Sequence, residues 1–176
     1  ADMIRLALNT GMRHRELLNL TWDRVDTENR LIYLGVEDQK SARLGSVPLN
    51  HAALDALANR RGIHDVYVFT HQGNPIESAK KSFRAACTEA GIDDFTIHDL
   101  RHTTASWMAQ RGVPLAAIKE VMRHQSIQTT MRYAHLTPEN SRSAVAALDW
   151  DETGTRDSPT GTKQGHLRAV PSHKQT

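Results

Sequence analysis

The 176 residues are 39% hydrophobic, enough to bury one core, so a single domain is expected. Lys and Arg number 22 against 20 Asp and Glu, a balance too even to announce a nucleic-acid binder by itself. The lone Cys87 excludes an internal disulfide, and the lack of any apolar run near about 18 residues argues against a transmembrane helix, so a reducing cytoplasmic setting is expected.

In chain order, residues 2–20 place Ile4, Leu6, Ala7 and Leu8, then Leu17, Leu18 and Leu20, on either side of Thr10-Gly11. That reads as the end of one helix, a turn, and a second helix capped by Thr10 with Arg13 in its first turn. Residues 22–30 are polar and turn-rich, and Leu31-Ile32-Tyr33-Leu34 reads as a strand. Residues 37–40 and 45–49 read as a hairpin pair, giving a small antiparallel sheet with Lys40 near its tip. Asn50 is placed to cap a helix over 51–61, with Leu54, Leu57 and Ala58 facing inward. After a brief apolar run at 66–70 and a turn at 71–75, a helix is expected over 77–90 with Gly91 just past its end. Further helices are expected over 98–110, 115–122 and 127–134, punctuated by Gly112 and Pro114, and a last one from Pro138 to about residue 148. From 151 onward aliphatic residues are too sparse for a core, so 151–176 is expected to be a disordered tail after a domain over 1–150.

The chemistry concentrates between residues 96 and 136. His98 and Arg101 stand one helical turn apart and project from one face, and His124 and Tyr133 follow on later elements. From His98 to His135 the cations Arg101, Arg111, Lys119, Arg123 and Arg132 outnumber the acids Asp99 and Glu120. A guanidinium, imidazoles and a phenol in one region suit an anion that is attacked, and a phosphodiester fits best.

Each candidate has a plainer rival. His98 and His102, four apart on a helix, have metal-ligand spacing, with His124 and His135 as further donors, but Arg101 between them opposes a cation. Arg13 is an ordinary surface charge unless an anion sits between it and the positive helix end that it would otherwise oppose. Arg5 and Arg15 lack that argument and read as solvated or DNA-flanking charges. Lys40 at a hairpin tip can be simple edge protection, and Arg43 rivals it in the same loop. Tyr33 and Tyr67 lie in strand-like runs where packing accounts for them. Residues 116–134 can also be drawn as a non-catalytic helix-turn-helix DNA-binding module, a reading that leaves Arg13, Lys40 and His98 unexplained.

Thr10-Gly11-Met12-Arg13-His14-Arg15-Glu16, Lys40 seven residues before Val47-Pro48-Leu49, His98-Asp99-Leu100-Arg101, His124, and Tyr133 nine residues later together resemble the tyrosine recombinase, or phage integrase, family from about Ile4 to Leu148. The resemblance implies an α+β catalytic domain, mainly helical with a small antiparallel sheet. It implies Arg13, Lys40, His98, Arg101, His124 and Tyr133 as catalytic residues, with Tyr133 the nucleophile, His98 its base and Lys40 the acid for the leaving 5′ oxygen. It also implies a 3′-phosphotyrosine intermediate without metal, ATP or other cofactor, double-stranded DNA as partner, and a homo-tetramer on two DNA sites. A type IB topoisomerase-like enzyme shares this chemistry. Family members also carry an N-terminal DNA-clamping domain, which lies outside these residues. One departure stands out: Met122-Arg123 precedes His124 where the family usually has Leu-Gly, so either the turn differs or Arg123 adds a phosphate contact.

Overall fold

Gly11 stops the first helix, α1 (Asp2–Thr10), by taking φ +60°, a left-handed conformation that costs glycine little. It also has to be small, because a Cβ there would lie 2.7 Å from the Met122 sulfur. The computed structural model describes residues 1–35, 45–138 and 145, and Ala1–Pro138 forms one compact unit. The expected cap at Thr10 is not where α2 (His14–Leu18) begins: Thr10 is the last residue of α1, and its hydroxyl donates back to the Leu6 carbonyl at 2.6 Å. Arg13 holds the N-cap position of α2 instead, and its backbone N–H donates to the Glu16 carboxylate at 2.7 Å.

A 3-10 turn, Trp22–Arg24, leads into an antiparallel sheet of β1 (Val25–Asp26), β2 (Leu31–Leu34) and β3 (Gly45–Pro48), in the order β1-β2-β3. Ile32 pairs with Val47, and both are fully buried against α1 and α3. The expected strand at 37–40 lies outside the described residues, and within them 45–48 pairs with β2. Tyr33 points away from the core and is 48% exposed, so packing does not account for it as expected.

Helix α3 (His51–Ala58) starts at Asn50, whose side chain accepts from the Ala53 N–H at 2.9 Å, as its cap position requires. Its inner face is Ala53, Ala56 and Leu57; Ala58, expected to face inward, is exposed. A two-strand hairpin, β4 (Thr70–His71) with β5 (Asn74–Pro75), turns through Gln72-Gly73. Then come α4 (Lys80–Glu89), with Gly91 just beyond it at φ +67°, and the central helix α5 (Ile97–Gln110). Two short helices, α6 (Leu115–Val121) and α7 (Ile127–Met131), and a 3-10 turn, Ala134–Leu136, complete the described fold. The helix expected over 127–134 thus ends at Met131, and Tyr133 stands in the break before the 3-10 turn. The helix expected from Pro138 and the tail beyond 151 lie outside the described residues.

Two apolar clusters result. The larger packs Leu6, Leu17, Leu20, Ile32, Val47, Leu57, Val68 and Leu100 among others; the smaller joins Ala105, Ala109, Ile118, Met122 and Tyr133. Helix α5 serves both. Its N-terminus is set by Thr96 and Asp99, whose carboxylate accepts from the Thr96 N–H at 2.8 Å and hydroxyl at 2.6 Å. Midway along, the Thr104 hydroxyl lies 3.0 Å from the Leu8 carbonyl and ties α5 to α1.

Candidate active site

Arg101 lies 5% exposed at the joint between the two clusters, on the face of α5 toward the turns at Gly11 and Met122. One end of its guanidinium donates to the Gly11 carbonyl and the other to the Met122 carbonyl. Gly11 therefore acts at the site as well as in the turn: it offers its carbonyl, and its missing side chain lets Met122 close over it. Burial first, then the neighbouring Arg123 and Arg13, pull the Arg101 pKa down to about 9, with Glu16 and Tyr133 acting in the opposite direction. The guanidinium remains charged at neutral pH, but its surroundings carry more positive charge than Glu16 balances. An anion arriving there would relieve that excess.

Arg13 reaches the same place from the start of α2. Its Nη1 donates to Glu16 at 2.6 Å and its Nη2 to the Arg123 carbonyl at 3.1 Å, and with a side chain 36% exposed it faces solvent more than Arg101 does. Arg123 departs from the expected phosphate contact. Its guanidinium turns inward, Nη2 donating to Glu16 at 2.6 Å and Nη1 to the Val121 carbonyl at 3.0 Å, and its Nε is buried without a partner. Its backbone keeps a left-handed φ of +51°, so the turn before His124 has the conformation that a glycine would take easily. Glu16, fully buried, thus joins two arginines, a role that the sequence analysis did not assign to it.

His124 follows that turn, with Nδ1 2.9 Å from the hydroxyl of buried Thr130 on α7. Burial, then Arg101, Arg13, His102 and Arg123, lower its pKa to about 4, so the ring is neutral at physiological pH. The Thr130 contact occupies Nδ1 and leaves Nε2 as the ring nitrogen open to a ligand; in the tautomer with Nδ1 accepting, Nε2 is a donor. The same contact argues against α7 as a recognition helix. It has only five residues, and one of them is turned inward to orient a histidine.

Tyr133 is 5% exposed and packs in the smaller cluster, and its hydroxyl lies 2.5 Å from Nδ1 of His102. Burial raises the phenol pKa, while Arg132 and Arg101 work against that rise. His98, expected to be the base, stands one turn earlier on α5 and is exposed, its ring edge-on to that of His102 with centroids 4.8 Å apart. The imidazole on the phenol is therefore that of His102, which the sequence marked only as half of a possible metal pair with His98. No group of three or more His, Cys, Asp or Glu is gathered among the described residues. A cleft of about 1060 Å³ between α4 and the start of α5 has His98 and His14 in its wall, beside Lys80 and Thr96. Lys40 and its rival Arg43 lie outside the described residues. Arg13, Arg101 and His124 are thus brought together, with Tyr133 near Arg101 and His98 reaching it through His102.

The fold is that of integrase catalytic domains: it superposes on the catalytic domain of bacteriophage HP1 integrase with TM-score 0.64 at 28% identity, covering 84% of this chain and 80% of that one. The Tn1549 transposon integrase, solved with a circular intermediate DNA, gives TM-score 0.70 at 24% identity over 84% of this chain, a likeness of fold. In sequence, the integrase of Salmonella phage P22 is 33% identical over 162 residues, which are 84% of this chain and 42% of that protein. The phage integrase family model matches residues 1–140, and the chain belongs to that family. It spans less than half the length of the P22 relative. No helix among the described residues is long and apolar enough to cross a membrane.

Proposed function

We propose that this chain is the catalytic domain of a site-specific DNA recombinase, breaking and rejoining strands through a 3′-phosphotyrosine at Tyr133. The observation that carries the reading is the anion-receptive cluster of Arg13, Arg101 and neutral His124 assembled near a buried phenol that already has an imidazole on its hydroxyl. Arg13 and Arg101 take the non-bridging oxygens of the scissile phosphate, and His124 donates a further hydrogen bond from Nε2. Tyr133 attacks in line, its proton leaving toward the His98 and His102 pair, and Lys40 protonates the departing 5′ oxygen. The phosphotyrosine keeps the bond energy, so a 5′-hydroxyl of another strand reverses the step without a nucleotide cofactor. Fixed cations here take on the charge neutralisation that a metal supplies in other phosphoryl transfers. The partner is double-stranded DNA, and strand exchange between two sites calls for four copies of the protein.

The test is a nicked duplex that traps the adduct, incubated with the intact protein in excess EDTA. A covalent complex mapping to Tyr133 is expected, unaffected by the chelator. DNA mapped to Tyr33 or Tyr67, or activity lost to EDTA and restored by zinc or magnesium, would overturn the proposal.

A further inference from the structure

We infer that His102 is the catalytic base that takes the proton from the Tyr133 hydroxyl during attack and returns it during rejoining; this deepens the assignment of Tyr133 as nucleophile and rests on it. The carrying observation is geometric. His102 Nδ1 sits 2.5 Å from the phenolic oxygen, while His98 meets His102 edge-on and stands on the exposed side. A buried tyrosine hydroxyl always needs a partner, and a backbone carbonyl would serve for packing alone. An imidazole nitrogen adds what a carbonyl lacks, a site that can hold a full proton near neutral pH.

The electrostatics agree with that role. Burial, then His98, Arg132 and Arg101, keep His102 below its ordinary value, with Asp99 pulling the other way, so the ring enters the reaction unprotonated. Burial makes the phenol a weaker acid than usual. Ordinary values of about 10 for the phenol and about 6.5 for imidazole already leave a gap too wide for free transfer beforehand. The proton therefore moves as the new bond forms. Tyr133 Oη bonds to phosphorus, the bond from phosphorus to the 5′ oxygen breaks, the phenolic proton passes to His102 Nδ1, and the 5′ oxygen collects a proton from a separate donor. Rejoining runs the same events backward, with the His102 imidazolium protonating the departing phenolate. His98, one turn closer to solvent, is left free to face the substrate.

The test compares His102→Gln, His102→Ala and His98→Gln in the intact protein, following single-turnover adduct formation on a nicked duplex from pH 5.5 to 10. At neutral pH, His102→Gln should form adduct about 10² to 10³-fold more slowly than the unmodified protein, a typical loss for a general base. That deficit should shrink steadily as the pH approaches phenol ionisation, and added imidazole should partly restore His102→Ala. For His98→Gln the loss should be the same at every pH. A His102→Gln rate within about threefold of the unmodified protein would overturn the inference. So would a deficit that neither pH nor imidazole changes, or the rising profile appearing in His98→Gln instead. Should His102→Gln fail to fold, His102→Ala with imidazole decides. Failure of the underlying assignment looks different: Tyr133→Phe would still form adduct, or the DNA would map elsewhere.

Discussion

The larger apolar cluster draws on α1, α2, the sheet, α3 and the start of α5, whereas the smaller rests on the end of α5, one short helix and Tyr133 itself. Every buried member of the larger cluster is apolar, and it supports the turn at Gly11 on which the cations rely. In the smaller one Tyr133, the proposed nucleophile, is also part of the packing. The difference teaches that the charge platform has a thick scaffold behind it, while the Tyr133 phenol is held by few neighbours and by one histidine. Substitutions should therefore separate chemistry from stability in the smaller cluster and entangle them at the platform.

The sharpest break is Tyr133→Phe, which keeps the ring in its cluster and removes only the hydroxyl. Adduct formation should vanish, while DNA binding and the thermal midpoint stay close to those of the unmodified protein. Next comes Arg101→Lys. A single ammonium cannot span the Gly11 and Met122 carbonyls, so one is left buried and unpaired at a cost of about 1–3 kcal/mol. Cleavage should fall by about 10² to 10³-fold as a donor to the developing charge is lost. Denaturant unfolding alongside adduct kinetics would show both losses together.

Arg123→Gly sets two effects against each other. Glycine relieves the left-handed strain, about 1–2 kcal/mol, but removing one partner of a buried ion pair costs about 3–5 kcal/mol. The pair wins, so urea titration should show a net loss of roughly 2 kcal/mol, and an Arg123→Gly protein more stable than the original would show that Glu16 needs only Arg13. The smallest effect concerns acid. His124, His102 and His14 all have folded-state pKa values below the unfolded value, so the unfolded chain binds more protons once the pH drops below about 6.5. Their contribution is whole above that point and is lost as the pH falls toward about 4, the value for His124. The urea midpoint should decline over this window, and more gently in His124→Gln.

Much of this arrangement was legible because it depends on local rules. Asn50 as a cap, Leu31–Leu34 as a strand and Gly91 past the end of α4 each follow from a few neighbouring residues. Spacing alone marked Arg13, Arg101, His124 and Tyr133 as candidates, and the fold gathers these four in one region. What stayed hidden depends on contacts across long stretches of chain. Nothing near Arg123 in sequence says that its guanidinium finds Glu16, 107 positions away. That His102 rather than His98 meets the phenol was hidden for a different reason: both lie on α5, and which one does so depends on how the turn carrying Tyr133 docks against it.

The bridging position of Arg101 bears on how the molecule assembles. Its two backbone acceptors lie 90 and 21 residues away along the chain, and a buried guanidinium with only one of them in place would be left poorly satisfied. The turn at Gly11, the helix α5 and the turn at Met122 thus gain little by docking in pairs and much by docking as three. Hydrogen exchange under native conditions should accordingly find the amides of these three segments opening as one cooperative unit, so the cationic half of the site is either wholly present or wholly absent in any partly unfolded form.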